Sequence, residues 1–468
     1  MPVLYSAQPD TARDPVPGPR SPVPPPLSLY IHIPWCVRKC PYCDFNSHGL
    51  RAPLPVREYV AALLADLDGD LADFGEALGS RGIDRRPLES IFFGGGTPSL
   101  MPPDAIAAIL DGVAKRLPLP GNCEVTLETN PGTVEHGRFD GYRNAGVNRI
   151  SFGVQSFDDG KLRALGRIHS AAEAETAVKL AQDAGFDNIN LDLMYALPDQ
   201  QMEEALADVE RAIALDPAHI SHYQLTLEPG TPFARRPPTL PGHDAAWDMQ
   251  EACEKGLADA GYAQYEVSAY ARPGRRCRHN VNYWEFGDYL GIGAGAHGKI
   301  TGPGIQDEAE RLRDAGGIAR EAERPRQVRR GPGCLASAGR ARLATGPGEA
   351  QPGYAVRRRW KTRSPLAYLQ HAGTPRRIGG DEVVAAEQLP FEFMLNALRL
   401  HSGVIADEFV ARTGLPLSAI DRSLGEARTR GWLTGDPARL QTTAPGRRFL
   451  NDVLELFLPE PDAERAHA

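Results

Sequence analysis

Cys36, Cys40 and Cys43 stand in the run Tyr30-Ile-His-Ile-Pro-Trp-Cys-Val-Arg-Lys-Cys-Pro-Tyr-Cys and bring three thiols onto one short loop. A cubane of four irons and four sulfides normally takes one thiolate per iron, so a three-cysteine loop would hold such a cluster and leave one iron open to a small molecule. Zinc is the rival. A structural zinc site needs four protein ligands, commonly in paired C-x-x-C spacing; no second pair follows at a sensible distance, although His32 and His48 flank the loop. A disulfide framework fits less well, because seven cysteines in 468 residues are sparse and odd in number and the start of the chain lacks the apolar segment of a secretion signal.

Such a loop needs a scaffold, and the chain from Leu27 onward alternates short β-rich runs with amphipathic helical stretches. Strands are predicted over Leu29 to Ile33, Ser90 to Phe93, Glu124 to Glu128, Arg149 to Val154, Asn188 to Leu193, Ile220 to Leu227 and Ala263 to Ser268. Apolar residues at three- and four-residue spacing predict helices over Val56 to Leu78, Pro103 to Leu117, Ala171 to Ala184, Glu203 to Leu215 and Ala245 to Ala260. Repeated strand-then-helix units imply a parallel sheet with helices outside it, and a count near six suggests an α/β fold built as an incomplete barrel.

Barrel sites form at the carboxyl ends of strands, and the polar residues of this chain fall there. The first strand runs into the cysteine loop, the second into Gly94-Gly95-Gly96-Thr97-Pro98, the third into Glu128-Thr129-Asn130-Pro131 and the fourth into Gln155-Ser156, while the fifth carries Asp192. The glycine run lacks the lysine and serine or threonine of a P-loop and is read instead as a place for close backbone approach to a ligand. A lone strand-end carboxylate such as Glu128 or Asp192 could equally cap a helix or pair with an arginine. Together with Gln155 on one cavity, they would suit a ligand bearing an ammonium and ribose hydroxyls.

Composition bounds the rest. A chain of 468 residues with 42% hydrophobic residues is expected to form two domains. No apolar run approaches the roughly 20 residues that span a bilayer, so a cytoplasmic protein is expected. A formal charge of -8 argues against a nucleic-acid partner bound through overall charge. Residues 1–26 are proline-rich and read as a disordered tail, and 27–300 as the barrel domain. Residues 301–359, rich in arginine, glycine and alanine, read as a disordered insertion. Helices and a small hairpin over 360–460 read as a winged-helix-like domain, whose interspersed acidic residues point to packing or partner docking rather than DNA.

The loop Cys36-x-x-x-Cys40-x-x-Cys43 resembles that of the radical S-adenosylmethionine superfamily. The longer runs Tyr30-Ile-His-Ile-Pro, Gly94-Gly-Gly-Thr-Pro-Ser, Glu128-Thr-Asn-Pro, Ser151-Phe-Gly-Val-Gln-Ser-Phe, Leu165-Gly-Arg-Ile-His and Asp192-Leu-Met-Tyr resemble the oxygen-independent coproporphyrinogen III oxidase family. The resemblance implies a 4Fe-4S cluster on Cys36, Cys40 and Cys43. It also implies S-adenosylmethionine contacted by Tyr30, Tyr42, Gly95, Gly96, Thr97, Glu128, Gln155, Arg167 and Asp192, and cleaved by one electron to a deoxyadenosyl radical. The decarboxylating enzymes carry a further cysteine two residues after the third, where this chain has Phe45, and a longer N-terminal segment. Both departures resemble the haem-chaperone, HemW-like branch, as does His279-Asn-Val-Asn-Tyr283-Trp284. That branch implies haem as cargo and haem-acceptor proteins, membrane-associated ones included, as partners. His279 would be an iron ligand beside Tyr283 and Trp284, with Cys277 as a second candidate. The alternative is oxidative decarboxylation of coproporphyrinogen III.

Overall fold

The computed structural model describes residues 24–79, 85–132, 138–303 and 354–459. The expected tail, apart from Pro24 to Pro26, and residues 304–353 of the expected insertion lie outside them. Six strands form a continuous parallel run: β1 Leu27–Ile33, β2 Leu88–Gly95, β3 Glu124–Thr129, β4 Arg149–Gln155, β5 Ile189–Tyr195 and β6 His219–Gln224. Each is followed by helix, among them α1 Val56–Asp73, α2 Pro103–Ala114, α3 Ala171–Asp183, α4 Met202–Ala214 and α5 His243–Asp259. The strands are buried over most of their length, as strands covered on both faces must be; in β1 only Tyr30 is not fully buried. The sheet and these helices share one large core. The α/β, partial-barrel expectation holds, with strand ends mostly within two residues of those predicted.

The sheet runs further than the sequence suggests. At β6 it continues through antiparallel β8 Ala269–Ala271 and β7 Ala263–Glu266. Beyond β1 it gains β9 Asp288–Ile292, parallel to β1, then β10 His297–Pro303, β11 Tyr354–Lys361 and β12 Ile378–Val383, all antiparallel. The expected insertion is therefore too wide at both ends, because 301–303 and 354–359 are paired strand residues. Arg357-Arg358-Arg359 reads as solvated charge in isolation. In the fold Arg359 is buried and meets Asp70 at 2.9 Å, Asp73 at 2.7 Å and Asp381 at 2.7 Å. Lys361 Nζ lies 2.6 Å from Asp66 and 2.7 Å from Asp70, and Arg377 Nε lies 3.0 Å from Asp66. These contacts clamp β11 and the approach to β12 onto α1.

The C-terminal part forms a second core around Phe393, Phe409, Leu424 and Val453. Its helices are α6 Arg278–Trp284 at the border, then α7 Leu389–Ala397, α8 Ala406–Thr413, α9 Asp421–Thr429 and α10 Leu450–Glu455. A small wing pairs Val404–Ile405 with Arg439–Leu440 and bridges Leu433 to Thr442. This core takes in Tyr265, Ala269 and Ala271 from one end of the open sheet and Val356 from the other, so the domain bridges the gap between them. No helix among the described residues is long and apolar enough to cross a membrane.

Candidate metal and cofactor site

Beyond β1 the chain folds into a hook held by backbone. Gly96 N–H donates to Ile33 O at 2.8 Å and Thr97 N–H to Trp35 O at 2.7 Å, while Trp35–Cys36 pairs with His48–Gly49. Cys43 N–H donates to Cys40 O at 3.3 Å, and Lys39 Nζ to Phe45 O at 2.8 Å. A Cβ on Gly96 would lie 2.5 Å from Trp35 O, so only glycine lets the β2 loop touch the hook. Gly96→Ala is expected to cost about 1–3 kcal/mol by overpacking against backbone, read from the urea midpoint of the purified protein; an unchanged midpoint would mean the two loops yield freely.

A chain of side-chain bonds ties the hook to the strand ends. Asn130 Nδ2 donates to Thr97 Oγ1 at 2.8 Å, and Arg167 Nη2 donates to Asn130 Oδ1 at 2.6 Å and to Gly153 O at 2.5 Å. Arg167 Nη1 reaches Cys40 Sγ at 3.8 Å. Glu128 Oε2 accepts from Gly95 N–H at 3.2 Å, and Asp192 accepts from Asn190 at 2.8 Å and Ser151 at 3.5 Å. Gln155 adopts left-handed backbone, φ 72°, and its Oε1 accepts from Tyr223 OH at 2.8 Å. The three cysteines and every predicted cofactor residue except Tyr30 line this one cavity: Tyr42, Gly95, Gly96, Thr97, Glu128, Gln155, Arg167 and Asp192. Asn130, Ser151, Gly153 and Tyr223 are among its other lining residues. Asn130 lies within the Glu128-Thr129-Asn130-Pro131 run at the end of β3, whereas nothing local in Tyr223-Gln-Leu marks the tyrosine.

Burial sets the protonation of the wall. It pushes Glu128 up to about 8, with Asp192 adding to the rise and the Gly95 N–H opposing it. Asp192 is raised by the same burial, as are the Cys36 and Cys43 thiols.

Tyr30 faces a second, open cavity of about 400 Å³, lined also by His32, Tyr283, Tyr289, His297 and Arg363. Phe45, Gly95 and Glu128 belong to both cavities. Of the candidate haem residues only Tyr283 lines it. α6 packs at the amino ends of the strands, where Glu124 accepts from the N–H groups of Arg278 at 2.9 Å and His279 at 3.2 Å. His279 is 3% exposed, stacks on Phe92 at 4.8 Å, and holds Ser90 Oγ through Nδ1 at 3.0 Å. Burial, then Arg149, lowers its pKa to about 3. An iron could reach it only if α6 moved. Cys277 is equally enclosed, with its thiol 3.5 Å from Glu124. Tyr283 lines the second cavity, whereas Trp284 packs against the C-terminal core with Arg399 4.3 Å above its ring.

Residues 30–212 match the model of the radical SAM superfamily and residues 384–449 that of the HemN C-terminal domain. The chain is 48% identical to the heme chaperone HemW of Escherichia coli strain K12, covering 93% of this chain and 99% of that one. It is 45% identical to the heme chaperone HemW of Haemophilus influenzae, with the same coverage. Among solved structures, coproporphyrinogen III oxidase (HemN) from Escherichia coli superposes with a TM-score of 0.68 at 20% identity, over 94% of this chain and 91% of that one, a likeness of fold. With near-complete coverage at this identity, the chain belongs to the HemW family of the radical SAM superfamily.

Proposed function

We propose that this protein binds haem and passes it to acceptor proteins, membrane-associated ones among them. In this reading it holds a 4Fe-4S cluster on Cys36, Cys40 and Cys43, with S-adenosylmethionine in the cavity beside the cluster. The observation that carries the reading is the meeting of three partly exposed thiols with the strand-end polar groups around one cavity, in a chain 48% identical to a heme chaperone HemW. The donor set fits a cluster better than zinc. Three thiols suit a cubane with one open iron, whereas a structural zinc site takes four protein ligands. Bound there, the cluster and S-adenosylmethionine supply one-electron radical chemistry.

The chain's own residues bind and orient. Glu128 and Asp192 offer negative charge to an ammonium, Gln155 offers polar contact to hydroxyls, and Tyr42 gives an aromatic wall. Gly95 and Gly96 admit close backbone approach, and Arg167 fixes the hook through Cys40, Asn130 and Gly153. Because free Glu128 keeps its proton up to about pH 8, a cationic ligand binds with release of that proton. Affinity for S-adenosylmethionine should therefore rise with pH, approaching tenfold per unit below that value. Calorimetry in buffers of different ionisation enthalpy reads the proton directly; an equal pH slope in Glu128→Gln would assign it elsewhere.

Phe45, at the position of the extra cysteine, favours carriage over decarboxylation. Anaerobically reconstituted protein given coproporphyrinogen III and a reductant is expected to form no protoporphyrinogen IX, while taking up haem stoichiometrically. Product at catalytic turnover would instead support the oxidase.

A further inference from the structure

The second cavity is bordered by His297 of β10 and by Arg363, two residues past β11. Two histidines line it, and they differ in one respect. His32 is fully engaged, with Nδ1 against Tyr30 OH at 3.0 Å and Nε2 against Asn46 O at 2.9 Å. His297 is exposed, and neither of its ring nitrogens has a hydrogen-bond partner among the described residues. Its ring is nevertheless held in place. His297 sits directly opposite Trp360 across the β10–β11 ladder, and the two rings stack at 6.1 Å and 21°. Partial enclosure of the ring by the cavity, then Arg358 and Arg363, lowers its pKa, so one ring nitrogen carries a free lone pair at neutral pH.

The rest of the lining has the character of a porphyrin seat. Tyr283 and Tyr289, with ring centroids 4.3 Å apart, form an aromatic wall, and exposed Phe45 stands at the seam with the cysteine cavity. Arg363 is exposed and its guanidinium makes no ion pair among the described residues. Its carbonyl accepts from Asn46 Nδ2 at 2.9 Å, which pins its backbone to the cysteine hook. Asp44, also in the lining, would repel a second carboxylate from the interior and leave it toward solvent.

We propose that His297 is the axial ligand of the haem iron, with the porphyrin seated in this cavity against Tyr283 and Tyr289 and one propionate on Arg363. The assignment rests on the reading that the protein binds haem and moves the ligand from buried His279 to an accessible imidazole. An iron porphyrin takes one unprotonated nitrogen donor, aromatic contact and a cation for a carboxylate, and this cavity presents all three. It also places the cargo beside the proposed S-adenosylmethionine cavity, with Gly95 and Glu128 as the common wall.

The test uses the full-length protein titrated with ferric haem, followed by absorption and electron paramagnetic resonance. His297→Ala is expected to weaken haem binding at least tenfold and to lose the histidine-ligated spectrum, while added imidazole restores that spectrum. Arg363→Gln should weaken binding several-fold and leave the spectrum unchanged. Because His297 is exposed, its loss should not shift the melting temperature, and imidazole rescue separates lost ligation from misfolding. A His297→Ala protein that keeps a histidine-ligated spectrum and wild-type affinity would give the iron to another imidazole, such as His279, and overturn the assignment. Wild-type protein that takes up no haem would overturn the haem reading itself.

Discussion

Serine at Cys36, Cys40 or Cys43 is expected to reduce bound iron and sulfide from about four of each per chain to background and to bleach the brown chromophore of anaerobically reconstituted protein. A hydroxyl is a poor substitute for a thiolate toward iron, and two remaining cysteines leave two irons without protein donors. The fold should survive, because the three cysteines are only partly buried and lie outside the hydrophobic cores. Iron and sulfide analysis beside a circular-dichroism melt checks both halves. A serine variant with a full complement of iron would place the metal elsewhere.

The largest loss of stability is expected far from that loop, from Lys361→Met. Lys361 is 1% exposed and lies within 2.7 Å of both Asp66 and Asp70, which are themselves buried. Removing one partner of a buried ion pair strands uncompensated charge, which costs about 3–5 kcal/mol. Arg377 and the Tyr368 hydroxyl, 2.7 Å from Asp66, soften the loss without replacing the cation. The same network has a pH signature. Burial alone would raise Asp70, but Lys361 and Arg359 hold its pKa below the ordinary value. Its contribution is therefore present above the unfolded carboxylate pKa of about 3.9 and is lost as pH falls through the lowered native value. Denaturant midpoints should fall in the Lys361→Met protein at neutral pH, and its deficit should shrink in acid. A midpoint equal to wild type would show that the neighbouring arginines suffice.

Sequence logic reached the parallel strands and most of one cavity because both depend on local order. β1, β2, β4 and β5 carry apolar-rich runs, and their site residues follow at or near their ends. The clamp was illegible for the opposite reason. Asp66 and Asp70 look like the wet side of an amphipathic helix, and Arg359 looks like loop charge; their meeting joins residues 289 positions apart in the chain. Tyr30 shows a finer limit. Alternate residues of a strand share a face, so Tyr30 goes with His32 into the second cavity rather than the first. His279 carries a recognisable motif, yet a motif gives no depth, and the fold puts its imidazole beneath Phe92 and beside Ser90.

The antiparallel pairing of β10 with β11 has a practical corollary. Its last rung joins Pro303 to Tyr354, so the two ends of the intervening segment stand at adjacent points, whatever its length. Closing a longer excursion between fixed ends costs free energy only logarithmically in residue number. The tip of that ladder is thus a natural splice point, where a tag, a fluorescent reporter or a shortened connector can be exchanged while the remainder of the molecule assembles as before.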